Sequence, residues 1–205
     1  MKRKYLIFLY FCEKCLFVEN TLHKIKSLYP LSEASLNKLI AILERKEFKK
    51  GAQILKADKI EKSVFFIEKG IARGYCDLPN QELTFWFGEE GDYIISAQSL
   101  INKLPGYETI ELMEDCILYE INADDLVALF ESDLELANWS RKLAEQELLK
   151  LEERFIYRQF KTAVEVYEDL LKNSPSLLRR VQLKYIASYM GISQVTLSRI
   201  RAEIK

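Results

Sequence analysis

The chain has 205 residues, 49% of them hydrophobic, and a formal net charge of −1 at pH 7. This is the composition of an ordinary globular protein that can bury a sizeable core in one or two domains. The four cysteines are too few and too scattered for a disulfide-stapled secreted scaffold, and they favour a reducing compartment, the cytoplasm.

Residues 1–20 form a predicted N-terminal extension. An apolar stretch from Tyr5 to Cys12 follows a basic start, as in a secretory signal. Glu13 and Lys14 interrupt this stretch, however, and no small-residue cleavage site follows. We therefore expect neither a signal peptide nor a membrane span here, and an extra helix or an upstream start codon explains the segment instead.

Six of the seven glycines lie in residues 51–106, among short runs of β-branched and aromatic residues. Glycines that separate short runs of this kind predict strands joined by turns. Many short strands without intervening helices favour an antiparallel sandwich or barrel. The predicted strands are AQIL (52–55), SVFFIEKG (63–70), ARGYCD (72–77), ELTFWF (82–87), DYIIS (92–96), YETIELME (107–114) and CILYEI (116–121), with LPNQ (78–81) as a hairpin turn.

From Asn122 onward the hydrophobic spacing predicts helices. Asn122 is the expected N-cap of a short helix, and a longer helix should run from about Leu134 to Phe160. The apolar stripe of the long helix suits either packing on its own domain or a coiled-coil-like dimer seam. Its members are Ala137, Ala144, Leu148, Leu151 and Phe155, widened by Trp139 and Leu143. A further helix, Thr162 to Leu171, should end before Pro175.

Two short helices with a tight turn between them are predicted near the C-terminus. The first runs from Leu183 to Tyr189, Gly191 supplies a left-handed turn, and Ser193 caps the second helix. Inward positions on both helices complete the helix-turn-helix pattern. These positions are Ile186, Ala187, Met190, Leu197 and Ile200.

The outward face of the second helix is polar and basic. Residues 176–205 carry six basic residues against the single acid Glu203, as contact with nucleic acid requires. Its side chains can reach base edges and phosphates. The exposed set is Gln194, Val195, Thr196, Ser198, Arg199 and Arg201; we expect Arg201, together with Lys184 of the first helix, to contact the DNA backbone.

Four segments carry a family resemblance that extends from about Ser35 to Lys205: FKKGAQIL, VFFIEKGIARGY, FGEEGDYI and KYIASYMGISQVTLSRIR. They resemble the Crp/Fnr transcriptional regulators, and most of all the short-tailed members common in Bacteroidetes. The resemblance implies an α+β fold with an antiparallel β-roll of the cyclic nucleotide-binding type, a long dimerisation helix, and a helix-turn-helix without a β-wing. The implied divisions are a sensor domain at 21–133, a linking helix at 134–160 and a DNA-binding domain at 161–205.

The resemblance also implies that the second helix of the motif lies in the major groove of DNA. Ser193, Gln194, Thr196 and Arg199 stand at the positions that usually contact DNA. Val195 departs from the family pattern, in which a Glu often reads a cytosine at this place. The resemblance therefore does not predict which base this protein prefers at that position.

The sensor side departs further from the family. Members that bind cyclic AMP carry a Gly-Glu-Leu run and then an Arg-Ser pair, because a cyclic phosphate needs backbone N–H groups and a guanidinium. The matching residues here are Ile95, Ser96 and Ala97, then Gly106 and Tyr107. We therefore expect no binding of cyclic AMP. The aromatic residues of the roll either line a pocket for another ligand or fill the core.

Neither a metal site nor an enzyme is expected. Cys12 and Cys15 are close in sequence, but an iron–sulfur cluster needs four thiolates, and Cys76 and Cys116 lie far away in predicted strands. The lone His23 has no neighbouring ligand pattern for zinc. One histidine cannot supply the ligand cluster of a cupin-like metal enzyme, so we expect no cofactor.

The sequence thus predicts a cytoplasmic, homodimeric, sequence-specific transcriptional regulator. Its expected partners are double-stranded DNA, a second copy of the chain, RNA polymerase and an unidentified small-molecule effector, with no membrane. The alternative is a ligand-binding or protein-interaction β-roll whose helical tail does not read DNA.

Overall fold

The computed structural model describes residues 19–79 and 81–204, with the backbone alone at residues 157 and 158. Cys12 and Cys15, with most of the N-terminal extension, lie outside the described residues. The described chain begins with two helices that are not among the predicted elements, α1 (Glu19–Leu28) and α2 (Glu33–Ala41). The Ser32 hydroxyl caps α2 by accepting the Ser35 N–H at 3.3 Å.

The next part of the chain consists of antiparallel strands. They are β1 (Glu44–Phe48), β2 (Gln53–Leu55), β3 (Ser63–Lys69), β4 (Ala72–Leu78), β5 (Gln81–Gly88), β6 (Tyr93–Ile94), β7 (Thr109–Leu112) and β8 (Cys116–Asn122). One four-stranded sheet has the order β1-β8-β3-β6, and the other has the order β2-β7-β4-β5. A π-helical turn, Gln98–Asn102, separates β6 from β7.

The central strand β3 carries side chains for two separate cores. Successive side chains of a strand point to opposite faces of its sheet. Phe65 therefore packs with Ile110 and Leu118 between the sheets, whereas Phe66 packs with Trp139 on the side covered by helices. This double burial explains why β3 has an unbroken apolar run, Val64 to Ile67, instead of alternating.

The predicted antiparallel β-roll is confirmed, and only its edges differ. β1 is missing from the predicted strands because its sequence, ERKEF, is mostly charged. It lies at the edge of its sheet and pairs only with β8, with Lys46 opposite Leu118. An edge strand tolerates charged side chains, so its composition carries no strand signal.

Helices alone occupy the described residues from 123 to 204. They are α3 (Ala123–Ser132), α4 (Leu134–Phe160), α5 (Ala163–Asn173), α6 (Pro175–Arg180), α7 (Leu183–Met190) and α8 (Gln194–Glu203). Asn122 caps α3 as predicted, and α4 has the predicted bounds. From the sequence we expect Pro175 only to end α5. In the structure it also begins α6, because the first position of a helix does not need an N–H donor.

Candidate nucleic-acid interface

The turn between α7 and α8 has the geometry that the sequence predicts. Gly191 adopts the left-handed conformation, with φ 70° and ψ 25°. The Ile192 N–H then donates to the Ala187 carbonyl at 3.0 Å and closes the end of α7. The Ser193 hydroxyl accepts the Thr196 N–H at 3.1 Å, which starts α8. These local bonds set the angle between the two helices.

The inner faces of α7 and α8 form one buried cluster. Ile186, Ala187, Leu197 and Ile200 are all at most 6% exposed. Met190, which the sequence also places inward, is only partly buried and packs at the edge of the cluster. Two further members come from the β-roll, Ile71 and Met113. The helix-turn-helix therefore shares its core with the roll, which the sequence pattern does not indicate.

The outer face of α8 is largely exposed to solvent. Ser193, Gln194, Ser198, Arg199 and Arg201 are exposed, and Thr196 is partly buried because its hydroxyl lies 2.9 Å from the Ser193 hydroxyl. Neither arginine takes part in an ion pair with a described residue. Val195, 67% exposed, places an apolar side chain in the middle of this polar face. The structure thus brings the predicted α8 residues onto one surface.

The basic residues near this surface fall into two groups. Lys184 on α7 is exposed, with its Nζ 4.5 Å from the centre of the Tyr185 ring, and Arg179 on α6 is exposed as well. Arg180 is different, because its guanidinium binds Glu90 and Glu114 of the β-roll. It also donates to the Ser176 hydroxyl at 3.1 Å. Arg180 therefore belongs to the internal structure and adds nothing to a DNA-binding face.

The first helix of the motif, α7, is docked on strand β5. The Ser188 hydroxyl donates to the Glu82 carbonyl oxygen and accepts the Thr84 N–H, both at 2.9 Å. Arg73 of β4 is fully buried beside this contact, with its guanidinium carbon 4.1 Å from the centre of the Tyr185 ring. These partners are distant in sequence, so no local pattern could indicate them.

Arg73 is also the only arginine between residues 46 and 140. It forms ion pairs with Glu82 and, at 3.8 Å, with Glu111, and it lies against the Tyr75 ring. The one guanidinium of the roll's central strands is therefore already used at the contact with α7. It does not face the positions where the family resemblance places a cyclic phosphate.

Those positions line a small cavity of the roll. Ile95, Ala97 and Tyr107 lie in the wall of a space of about 150 Å³ that also contacts α4 through Glu147. Phe85, Trp86 and Tyr93 also line this cavity, whereas Phe65 and Phe66 are buried in the cores. Core packing therefore accounts for Phe65 and Phe66, and a ligand pocket remains a prediction for the three residues at the cavity.

The long helix α4 changes character along its length. Leu136 and Trp139 are buried, and the Trp139 Nε1–H donates to the Ile25 carbonyl at 2.9 Å. Further along, Leu148, Leu151 and Phe155 are 57–66% exposed. The predicted stripe is therefore divided: its first turns pack on their own domain, and its later turns have no cover within the described chain.

No group of three or more His, Cys, Asp and Glu side chains that could hold a metal ion occurs within residues 19–79 and 81–204. Cys116 is buried, and burial raises the pKa of its thiol to about 11. In the same part of the chain, none of the helices is both long and apolar enough to cross a membrane.

The sequence and the fold were compared with those of known proteins. The family model of the cyclic nucleotide-binding domain matches residues 45–133. No protein with a curated function matches the sequence. Among solved structures, FixK2 from Bradyrhizobium japonicum has 20% identity and a TM-score of 0.69, over 80% of this chain and 84% of that chain.

Two further structures share the fold over most of their length. The catabolite activator protein of Thermus thermophilus has 19% identity and a TM-score of 0.56, over 88% of this chain and 86% of that chain. A protein of the Crp/Fnr family from Eubacterium rectale has 18% identity and a TM-score of 0.67, over 85% of each chain. Residues 45–133 therefore match the family of the cyclic nucleotide-binding domain, and the chain as a whole shares its fold with these three solved structures.

Proposed function

We propose that this protein is a cytoplasmic, homodimeric transcriptional regulator that reads specific DNA sequences through α8, and that it is not an enzyme. The observation that carries the proposal is the outer face of α8, where Gln194, Ser198, Arg199 and Arg201 are exposed together. Exposed polar and basic side chains on the second helix of a helix-turn-helix can reach base edges and phosphates in the major groove. The shared fold with Crp/Fnr regulators supports the same assignment.

The exposed leucines of α4 support a dimer. An apolar stripe at coiled-coil spacing is stabilised when a second helix covers it. Two copies of the chain would present two α8 helices related by two-fold symmetry. Such a dimer reads two half-sites about one helical turn apart, roughly 34 Å along the DNA.

The β-roll is the proposed sensor, with an effector other than cyclic AMP. Arg73 is occupied by Glu82 and Glu111, and Gly106 and Tyr107 stand where a phosphate-binding pair would be needed. We expect calorimetric titration with cyclic AMP to give no binding heat. Binding at micromolar concentration would refute this part of the proposal. RNA polymerase is a further proposed partner.

Selection of bound duplexes from a random double-stranded DNA library tests the function directly. We expect a two-fold symmetric motif whose half-sites are centred about 34 Å apart, which a footprint then confirms. Recovery of no sequence motif would refute sequence-specific binding.

A chain that lacks residues 176–205 separates this proposal from the alternative, a ligand-binding or protein-interaction roll. A regulator loses DNA binding with this deletion. Residues 176–205 include α7, α8 and all of α6 except Pro175, and these helices share a core with the roll. The substitutions Gln194→Ala and Arg199→Ala on the exposed face therefore test the same point without removing part of the core. If full-length protein and both variants bind a selected duplex and its scrambled form equally, the tail does not read sequence.

A further inference from the structure

The cavity of the β-roll has a wall chemistry that differs from that of an anion site. It lies between β5, β6, the residues around the π-helical turn and α4, and it has a volume of about 150 Å³. Its aromatic wall is made by Phe85, Trp86, Tyr93 and Tyr107, and its carboxylates are Glu108 and Glu147. No arginine or lysine lines this cavity among the described residues.

Glu108 is the central observation. The residue is only 7% exposed, and its carboxylate accepts one hydrogen bond, from the neighbouring Tyr107 N–H at 3.0 Å. Within the described chain it has no ion pair. A carboxylate that is removed from water without a cationic partner is costly, so this position is favourable for a ligand that brings a positive charge.

A second buried polar group lies beside this carboxylate. Ser96 is 3% exposed, and its hydroxyl has no hydrogen-bond partner in the described chain. A Cβ atom on Gly106 would lie 2.5 Å from the Ser96 Oγ and 2.8 Å from the Glu108 Oε1. The hydroxyl and the carboxylate therefore both pack against Gly106, where any larger side chain would clash with them.

The other charges near the cavity do not neutralise Glu108. Glu147 pairs on its own helix with Lys150 at 2.7 Å and with Arg154 at 3.7 Å. Both cations line a neighbouring space of about 220 Å³, together with Asp92 and Glu153. Lys150 and Arg154 therefore share this space with three carboxylates, those of Asp92, Glu147 and Glu153. Neither cation neutralises Glu108.

We propose that this cavity binds a small organic cation, an ammonium group attached to an apolar or aromatic body. The ammonium donates to Glu108, and the body packs against the aromatic wall, where ring faces attract cations. The inference rests on the proposed function in one respect: it makes this cation the effector of the regulator. Binding itself does not depend on DNA recognition.

Calorimetry with three probes of similar shape tests the charge preference. The probes are the 2-phenylethylammonium ion, neutral 2-phenylethanol and the anion phenylacetate. We expect the ammonium ion to bind at least about tenfold more tightly than the alcohol, because a charge-assisted hydrogen bond is lost in the neutral probe, and phenylacetate not to bind. An anion that binds as well as the ammonium ion, or an ammonium ion that does not bind at all, overturns the proposal.

Two substitutions locate the site. Glu108→Gln keeps the shape and removes the charge, so we expect at least about a tenfold loss in ammonium affinity. Glu131→Gln, an exposed residue on α3, should leave the affinity unchanged. Unchanged affinity in Glu108→Gln overturns the assignment.

Thermal melting without ligand separates binding from structure. Glu108→Gln should melt at or above the temperature of the wild type, because a buried uncompensated charge is removed. A much lower melting temperature would mean that the carboxylate stabilises the empty fold, which contradicts the proposal. If the ammonium ion binds but no DNA motif is selected, the proposed regulator function is refuted and the cation site stands. If a DNA motif is selected but the ammonium ion does not bind, the cation site is refuted and the regulator function stands.

Discussion

Two pairs of arginines in this protein have different environments, which the sequence alone does not distinguish. Arg73 and Arg180 are held by carboxylates and aromatic rings inside the chain. Arg199 and Arg201 extend from α8 into solvent. The second pair is available to DNA, as are the exposed Lys184 and Arg179. Among these, a side chain over base edges contributes specificity, whereas one over the backbone contributes affinity alone.

Alanine substitutions should separate the two roles. Gln194→Ala and Arg199→Ala should weaken binding to a selected duplex by about 1–3 kcal/mol per lost base contact, with little change on random DNA. Lys184→Ala and Arg201→Ala should weaken binding to both duplexes and reduce the salt dependence by about one counterion each. Fluorescence anisotropy at several salt concentrations measures both effects. Equal losses for all four variants on both duplexes would contradict the assignment.

Helix α4 is the element that connects the β-roll to the C-terminal helices that carry the helix-turn-helix. Its start is fixed by Asp133, whose carboxylate accepts the Glu135 N–H at 3.1 Å and the Leu136 N–H at 3.3 Å. The same carboxylate binds α2, through Lys38 at 2.6 Å and the Ser35 hydroxyl. One residue thus holds the helix start in place, while the exposed leucines lie more than two turns further on.

The stability of the α4 start should depend on pH. The hydrogen bond from Lys38 lowers the pKa of Asp133 to about 2, with help from Ser35 and the Leu136 N–H and against the effect of burial. An unfolded Asp has a pKa of about 3.9, so this stabilisation is present above that pH and is lost as the pH falls towards 2. We expect Asp133→Asn to lower the free energy of unfolding by about 1–3 kcal/mol at neutral pH.

Urea unfolding at neutral pH and near pH 2.5 measures this difference. The gap between wild type and Asp133→Asn should narrow at the lower pH, because the wild-type carboxylate is then losing its charge. Asp125→Asn, an exposed residue in the first turn of α3, is the matched control and should show a small effect at both pH values. A gap of constant size would contradict the pKa assignment.

The later turns of α4 should form the dimer seam. Leu148 and Leu151 are 66% and 57% exposed in the single chain, so glutamates at both positions leave the monomer fold intact. In a dimer the same glutamates would bury charge at the seam. We expect Leu148→Glu with Leu151→Glu to give folded monomers that bind a selected duplex far more weakly.

Sedimentation velocity provides the measurement for this seam, and circular dichroism confirms the fold. Leu134→Glu introduces the same change at the start of the same helix, at a position 79% exposed, and should leave the dimer unchanged. A dimer that survives the double substitution would place the seam elsewhere.

At the scale of the whole molecule, the roll and the helix-turn-helix are packed together. Ile71 and Met113 complete the core of α7 and α8, Ser188 bonds to the backbone of β5, and Arg180 connects α6 to two turns of the roll. The orientation of α8 relative to the sensor therefore depends on this contact. A change of shape in the roll would reach α8 through the same residues.

Arg180→Ala should loosen this packing. The guanidinium binds Glu90 and Glu114 in a partly exposed site, so we expect a loss of about 1–2 kcal/mol after allowance for solvent screening. Hydrogen exchange of residues 175–204 should increase. Arg179→Ala is the matched control, since this neighbour is exposed, and its effect should stay within about 0.5 kcal/mol.

A double-mutant cycle of Arg180→Ala with Glu114→Ala measures the interaction energy between these two side chains. A coupling energy near zero would show that the ion pair does not hold the motif on the roll. Arg180→Lys should fail to restore the wild-type stability, because one ammonium cannot bind two carboxylates with the planar geometry of a guanidinium.

Features that depend on neighbours in the chain were determined by the sequence alone. The caps at Asn122 and Ser193 follow from side chains that bond within a few residues, and the left-handed turn follows from the missing side chain of Gly191. The bounds of α4 follow from the spacing of its apolar residues. The face of α8 predicted to read DNA follows in the same way, because helical spacing decides which side chains share a surface.

Tertiary structure decided the features whose partners are far apart in the chain. The charged strand β1 is a strand only because β8 pairs with it, and Arg180 is internal only because Glu90 and Glu114 lie opposite. Glu108 is likewise an ordinary acidic residue in the sequence, and only the closure of the roll removes it from water. Burial and ion pairing depend on which distant segments come into contact, and neither periodicity nor composition predicts those contacts.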